Sequence, residues 1–257
     1  MSGSGGRAEH GARRTEAAPP PRAPRPEPRA LGVEALDSRT CDAGIVRATL
    51  RDVQLANKLF GGRAAVAFGV DRLLERARAS GPITLLDVGA GLGDVAAFLA
   101  RRPWRAGATI HPVAVDWHAE AARQCCVRRI PATVADAATL PFHDRAFDVV
   151  VASQLLHHFP HDAAARLARE LDRVARIGVV IADLERRRAA ALGIWAASFP
   201  LGFHPVSRHD GVLSVRRGFR AWELAAVLDH AGMDAQVYRR PGYRVVGIWQ
   251  ARGADAR

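Results

Sequence analysis

Residues 82–100 constrain the fold more strongly than any other stretch of the chain. They read PITLLDVGAGLGDVAAFLA, a short apolar run followed by glycines at three alternate positions and then by a segment with helical apolar spacing. This order predicts a buried β-strand, a tight turn and the start of a helix. Glycine suits such a turn because it has no Cβ and readily adopts positive φ. The unpaired amides at the start of the helix would then face the space beyond the strand.

Acidic residues surround the glycine turn. Asp87 ends the first predicted strand, Asp94 follows the third glycine, and a second predicted strand ends at Asp116. The glycines are spaced GxGxG, whereas a dinucleotide-binding turn typically reads GxGxxG. Several carboxylates would also repel a pyrophosphate at close range. A dinucleotide site is therefore disfavoured.

The segments after this turn alternate between predicted strands and helices. Short apolar runs predict further strands at residues 109–116, 132–135, 147–152 and 177–182. Such runs are typical of parallel strands that helices cover on both sides. Such alternation gives an α/β fold with a doubly wound sheet, in which ligands bind beyond the carboxyl ends of the strands. Four polar residues lie at or just past such an end, which predicts that they share one site: Asp87, Asp116, Asp136 and Ser153.

The glycine turn and Asp116 resemble motif I and the following acidic motif of the class I S-adenosylmethionine-dependent methyltransferases. Residues 140–159, LPFHDRAFDVVVASQLLHHF, extend this resemblance to ubiquinone-, menaquinone- and small-molecule-type members. Residues 207–219 are similar to bacterial methyltransferases found beside type III polyketide synthases. The resemblance implies a Rossmann-like, mostly parallel sheet of seven strands that ends in residues 235–240 and 243–249, the last strand being antiparallel. It also implies S-adenosylmethionine as the cofactor, whose sulfonium, ammonium and ribose hydroxyls suit nearby carboxylates.

Individual cofactor contacts follow from the resemblance. Asp116 would accept hydrogen bonds from both ribose hydroxyls, while Asp136 and the amide of Ala137 would bind the adenine. Trp117 would flank the adenine or else only pack, and Asp94 would face the ammonium or else only cap its helix. The predicted cofactor-binding residues are Asp87, Gly89, Ala90, Gly91, Gly93, Asp94, Asp116, Trp117, Asp136, Ala137 and Ser153.

Two adjacent histidines follow the fourth predicted strand, near the place where the transferred methyl group would emerge. Histidine has an ordinary pKa that suits a general base, so His157 and His158 are the candidate catalytic residues. Because adjacent side chains on a helix point in different directions, we expect His157 alone to face the site. His158 would then form a hydrogen bond at the helix end.

Composition and periodicity divide the chain into three parts. Residues 1–30, rich in proline and arginine, predict a disordered tail, with a basic arm for an acidic partner as the alternative. Residues 31–80 predict a helical cap. The methyltransferase domain would span residues 81–251, with residues 186–218 as a lid or substrate insertion.

The cap and the insertion contain the candidate acceptor-binding residues. In the resembled family, elements at these positions wall the substrate cavity. Plain packing explains the same patterns, and an aromatic helix in the insertion could instead touch a membrane. Basic residues in the insertion, Arg217 among them, would meet an anionic acceptor. The predicted acceptor-binding residues are Asn57 and Phe60 in the cap, and Trp195, Phe199, His204, Arg208 and His209 in the insertion.

Composition argues against several other functions. The 257-residue chain has a formal net charge of +11, but Lys58 is its only lysine, and its scattered arginines form no recognised nucleic-acid-binding motif. The three cysteines have neither CxxC nor zinc-ligand spacing, which predicts a reducing compartment and no metal site. The sequence contains neither a secretory signal nor an apolar run of roughly 20 residues, so we expect no membrane segment and a cytoplasmic location.

The sequence therefore predicts an S-adenosylmethionine-dependent methyltransferase of secondary metabolism. It would move a methyl group, without a metal, to oxygen or carbon of a small acceptor of aromatic or polyketide-like character. Two alternatives remain open: C-methylation of a quinone precursor, and a methyltransferase-like module that binds its ligand without turnover.

Overall fold

Helices and strands alternate along most of the chain in the computed structural model, which describes residues 29–30, 32–104 and 107–252. The predicted N-terminal tail therefore lies, apart from its last residues, outside the described part. The elements are α1 (Ala43–Leu59), α2 (Gly62–Ala77), β1 (Pro82–Val88), α3 (Asp94–Arg101), β2 (Thr109–Asp116), α4 (Ala119–Val127), β3 (Ala132–Val134), β4 (Phe147–Ser153), α5 (His161–Val174), β5 (Ala175–Leu184), α6 (Arg188–Ser198), α7 (Pro205–Arg217), α8 (Ala221–His230), β6 (Gln236–Arg240) and β7 (Arg244–Gln250). Short 3-10 helices lie at Ala35–Asp37 and Leu156–His158.

The strands form one sheet in the order β3-β2-β1-β4-β5-β7-β6. Strand β7 is antiparallel to both of its neighbours, whereas β1 to β5 pair in parallel. The predicted doubly wound sheet of seven strands is therefore confirmed. The chain leaves β1 towards β2 and later returns on the other side at β4, so a crevice opens beyond the carboxyl ends of β1 and β4.

Two apolar layers cover the faces of the sheet. Alternate residues of a strand point to opposite faces, and neighbouring positions accordingly belong to different layers. Leu86 and Val150 pack with residues of α5 and α8 on one face. Leu85 and Val149 pack with residues of α2 and α3 on the other. Burial on both sides explains why these strands read as continuous apolar runs.

The boundaries differ from the sequence prediction in two places that affect the site. Strand β5 runs two residues further than predicted, to Leu184, so Asp183 belongs to the strand. Helix α7 was not predicted; it begins at Pro205, a residue whose fixed φ suits the first turn of a helix. No helix among the described residues combines the length and the apolar character required to cross a bilayer.

Candidate functional site

A cavity of about 820 Å³ lies beyond the carboxyl ends of β1, β2 and β4. Helices α1, α6 and α7 contribute its remaining walls. It brings together most of the residues that the sequence predicted for the cofactor, for catalysis and for the cap: Asn57, Phe60, Asp87, Gly89, Ala90, Gly91, Asp94, Asp116, Trp117, Asp136, Ala137, Ser153, His157 and His158. Gly93 does not line it, because this residue lies behind the turn against Cys125 and Ile130.

The glycine turn has the backbone conformation that the sequence predicted. Gly89, Gly91 and Gly93 all have positive φ, at 71°, 55° and 69°. The amides of Gly89 and Ala90 donate to the carbonyl of Val115, at 2.8 and 3.0 Å, which ties the turn to β2. These contacts hold the turn open towards the cavity.

Asp87 is fully buried at the end of β1. Its carboxylate accepts from the amide of Ala96 in α3, but the Oδ2 atom has no hydrogen-bond partner among the described residues. Burial, reinforced by the charges of Asp94 and Asp116, raises the pKa of Asp87 to about 8. A ligand cation beside Oδ2 would reverse this effect, because opposite charge favours the ionised carboxyl.

Asp116 is held in place by the backbone of the same turn. Gly91 donates its amide to Oδ2, and His118 donates its amide to Oδ1, both at 2.9 Å. Burial raises the pKa of this carboxyl as well, although the two amides oppose that effect. Each oxygen of a carboxylate can accept a second hydrogen bond, so Asp116 can still accept from two hydroxyl groups.

Asp94 forms an ion pair instead of capping its helix. Gly93 occupies the N-cap position of α3, and the guanidinium of Arg63 donates to Asp94 Oδ2 at 3.0 Å. Burial raises the pKa of Asp94 despite this contact. Asp94 is thus a buried acid on the cavity wall whose charge Arg63 partly balances.

Asp136 and Trp117 lie at the outer end of the cavity and share a partner that the sequence did not indicate. Arg39 donates to Asp136 Oδ2 at 2.7 Å, and its guanidinium lies 5.3 Å from the centre of the Trp117 ring. The other oxygen of Asp136 accepts from the amide of Ala138. Arg39 therefore contacts both Asp136, predicted to bind the adenine, and Trp117, predicted to flank it or only to pack.

A buried carboxylate fixes the orientation of His157. The Nδ1 atom of His157 lies 2.7 Å from Asp183 Oδ1, and the His157 amide donates to Oδ2 at 3.0 Å. Although burial opposes ionisation, the His157 contacts hold the pKa of Asp183 below its usual value. An ionised carboxylate can only accept, so Nδ1 carries a proton, and in the neutral imidazole Nε2 then carries the lone pair. That Nε2 atom is buried and has no hydrogen-bond partner among the described residues.

His158 has a similar arrangement. Its Nδ1 atom lies 2.6 Å from Asp37 Oδ1, and its Nε2 atom lies 4.0 Å from Glu34 Oε2. Both imidazoles line the cavity, contrary to the expectation that only His157 would do so. The reason is the short 3-10 helix, which leaves the two rings tilted against each other with centroids 4.2 Å apart.

Comparisons with known proteins find methyltransferases. Residues 85–178 match the family model described as "Methyltransferase domain". The curated protein "Methyltransferase GfsG" of Streptomyces halstedii is 34% identical over 122 residues, which are 44% of this chain and 42% of that protein. The chain thus matches less than half the length of this relative.

Solved structures show the same fold. A SAM-dependent methyltransferase from Aquifex aeolicus is 15% identical with a TM-score of 0.56, and the match covers 82% of this chain and 98% of that one. A chain of the Haloferax volcanii complex between the Trm112 methyltransferase activator and a methyltransferase is 13% identical with a TM-score of 0.51, covering 82% and 97%. Residues 85–178 thus match a methyltransferase domain, and the chain has the fold of S-adenosylmethionine-dependent methyltransferases. The family assignment made from the sequence is confirmed.

Five of the predicted acceptor residues lie outside the lining of the cavity. Helix α6 turns small residues, including Ala190 and Gly193, towards the cavity. Its aromatic residues Trp195 and Phe199 are half-exposed and pack edge to face with each other. The remaining three also have other contacts: Arg208 stacks on Phe199, His204 accepts from the amide of Val206 at the start of α7, and exposed His209 pairs with Asp210.

The cavity also contains residues that the sequence analysis missed. Gln154 directly follows β4, has a positive φ of 52° and donates to Asn57 Oδ1. Glu34 and Asp37 come from the segment before α1 and reach the two histidines. Asp183 belongs to β5 and lies behind His157. Its position near a strand end was a usable signal, whereas nothing in the local sequence distinguished Glu34 or Asp37.

Proposed function

We propose that this protein transfers a methyl group from S-adenosylmethionine to a small acceptor bound in the same cavity. The observation that carries the proposal is the group of buried carboxylates around the glycine turn, with Asp87 Oδ2 left unpartnered. An unpaired buried carboxylate oxygen is costly. The positive charge of the cofactor would offset that cost. The family assignment and the shared fold add support.

The residues around the glycine turn fit the parts of this cofactor. Asp116 would accept from the ribose hydroxyls, and the backbone of Gly89 and Gly91 leaves room for the methionine part. The unpartnered oxygen of Asp87 would balance positive charge, and Ser153 offers a buried hydroxyl that lacks a partner among the described residues. Bound there, S-adenosylmethionine would supply an electrophilic methyl group on a sulfonium.

The acceptor end of the cavity has an apolar wall opposite its polar groups. Its walls include side chains from β5, α6 and α7 and from the loop between these helices: Leu184, Ala189, Ala190, Ile194, Phe203 and Val215. The volume lies within the range of roughly 300–1,000 Å³ that is typical of small-molecule sites. This lining favours a small apolar acceptor, and an aromatic or polyketide-like molecule meets that requirement.

His157 is the residue that we assign to loss of the acceptor proton. Asp183 fixes the tautomer that leaves a lone pair on Nε2. Such an imidazole assists an acceptor hydroxyl in one of two ways, by taking the proton itself or by holding a cation that acidifies the hydroxyl. Either way, alignment of the acceptor with the methyl group supplies much of the rate.

Isothermal titration calorimetry with S-adenosylhomocysteine tests the cofactor site. Wild-type protein should bind it and should not bind NAD. Asp116→Ala should weaken binding at least tenfold, because hydrogen bonds to a charged partner contribute about 1.5–3 kcal/mol each. Asp162→Asn removes a carboxylate that is 83% exposed, so it is the control for the change in charge and should bind like the wild type.

A labelled-methyl assay with pooled small-molecule extracts tests turnover. Transfer of label to a small molecule by the wild type, and its loss in Asp116→Ala, is expected. Absence of S-adenosylhomocysteine binding would refute the proposal. Tight binding without transfer to any acceptor pool would instead indicate a binding module.

A further inference from the structure

We propose that Glu34, His157 and His158 form a binding site for one divalent transition-metal ion at the acceptor end of the cavity. The sequence contains no ordinary metal-binding motif at these positions, because the three residues come together only in the folded chain. The inference rests on the proposed function in one respect, since it specifies how the acceptor proton is lost.

The two imidazoles are oriented as metal ligands usually are. Metal-binding histidines almost always donate the second ring N–H to a carboxylate, a carbonyl or water. Here His157 donates Nδ1–H to Asp183 at 2.7 Å, and His158 donates Nδ1–H to Asp37 at 2.6 Å. In the neutral imidazoles both Nε2 atoms then carry lone pairs.

Glu34 completes a set of three ligands. Its two carboxylate oxygens lie 3.9 Å from His157 Nε2 and 4.0 Å from His158 Nε2. One ligand atom from each residue lies within 4.8 Å of the other two. Bonds of about 2.0–2.2 Å to a tetrahedral ion place two ligands about 3.4 Å apart. The distances from the Glu34 oxygens to the two Nε2 atoms exceed this ligand separation by about half an ångström, so a small inward movement of Glu34 and each ring would bring them to it.

The burial of these groups provides an independent reason to expect an ion. Glu34 and His157 are both more than nine-tenths buried. The His157 Nε2 atom has no hydrogen-bond partner among the described residues, although buried polar atoms usually have one. A metal ion would satisfy this atom and would also lie against the charge of Glu34.

Arg217 competes for the same carboxylate without excluding the ion. Its guanidinium donates to Glu34 Oε1 at 3.2 Å and to Asp37 Oδ2 at 2.7 Å, and Ser214 donates to Glu34 Oε2 at 2.8 Å. A carboxylate has about four lone-pair positions, so Glu34 can keep these contacts and still bind a metal. Arg217 and Ser214 would then hold the ligand in position.

The ligand types indicate which ion would bind. Two imidazoles and one carboxylate suit zinc or a neighbouring transition metal, whereas Mg²⁺ prefers oxygen ligands alone. Three protein ligands leave at least one coordination position open, as in catalytic zinc sites. An acceptor hydroxyl in that position would release its proton to solvent more readily, because a bound metal lowers the pKa of water from 15.7 to about 7.

Calorimetric titration of the chelator-treated full chain with ZnCl₂ at pH 7 tests this site, and the visible spectrum after addition of Co²⁺ tests its geometry. We expect one ion per chain in the wild type and an intense tetrahedral-type Co²⁺ spectrum. Glu34→Gln and His158→Ala should each weaken Zn²⁺ binding at least tenfold. His230→Ala is the matched control, since this exposed imidazole also lies 3.9 Å from a carboxylate, that of Asp162, and should change nothing.

Binding of S-adenosylhomocysteine to the same variants separates this proposal from the proposed function. If the wild type binds S-adenosylhomocysteine but takes up no Zn²⁺, or if Glu34→Gln and His158→Ala bind Zn²⁺ as well as the wild type, the metal site is refuted while the proposed function stands. If Zn²⁺ binds as expected while S-adenosylhomocysteine does not, the metal site is supported and the proposed function fails.

Discussion

Replacing Asp87 by asparagine should remove a dependence of stability on pH that this one buried carboxyl creates. Burial raises its pKa from 3.8 to about 8, so the folded protein keeps a proton that the unfolded chain releases above about pH 4. The free energy of unfolding therefore falls as pH rises, by about 1.4 kcal/mol per unit, until the folded-state pKa is reached. Above about pH 8 both states are ionised and the loss is complete.

Between pH 6 and pH 8 this single group costs the wild type about 2 kcal/mol of stability. That corresponds to a drop in Tm of roughly 5 °C for a domain of this size. Thermal unfolding of the ligand-free protein at pH 6, 7 and 8 measures it. The difference in Tm between Asp87→Asn and the wild type should shift by that amount in favour of the variant as pH rises.

Asp148→Asn is the matched control. This acid is also buried, but Thr84 and Arg176 hold the pKa of Asp148 below its usual value despite burial. It is ionised in both states across this pH range, so its removal should lower Tm equally at every pH. Parallel profiles for the wild type and Asp87→Asn would refute the reasoning.

Two further substitutions test the turn and the core. Gly89→Ala should cost about 1–2 kcal/mol for its positive φ and should also weaken S-adenosylhomocysteine binding, because its Cβ would lie 3.0 Å from a Leu155 methyl group at the cavity. Gly81→Ala, with φ of 73° and open space around the new methyl group, should show the loss of stability in urea unfolding without the loss of binding. Trp249→Phe should cost about 2–4 kcal/mol in the same assay, because it removes the buried hydrogen bond to Asp172. Trp222→Phe, at an exposed position, should leave the urea midpoint unchanged.

Local signals in the sequence predicted the fold and the acidic residues that line the cavity beside the glycine turn. Continuous apolar runs marked buried strands because helices cover the sheet on both faces. The alternate glycines marked a turn that needs positive φ. Asp87 and Asp116 could be placed together because the carboxyl ends of parallel strands meet at one edge of the sheet. Each of these inferences needed only neighbouring residues and the period of a strand.

Tertiary packing alone decided the acceptor end of the cavity. The polar groups at this end come from three separate segments, which contain Glu34 and Asp37, His157 and His158, and Asp183. Many residues separate these segments, so no helical or strand periodicity relates them. Helix α6 has both an aromatic and a small-residue face, and its packing on α7 settled that the small residues face the cavity. A sequence reveals which residues share a helix face or a strand end, but contacts between distant segments depend on how the whole chain packs.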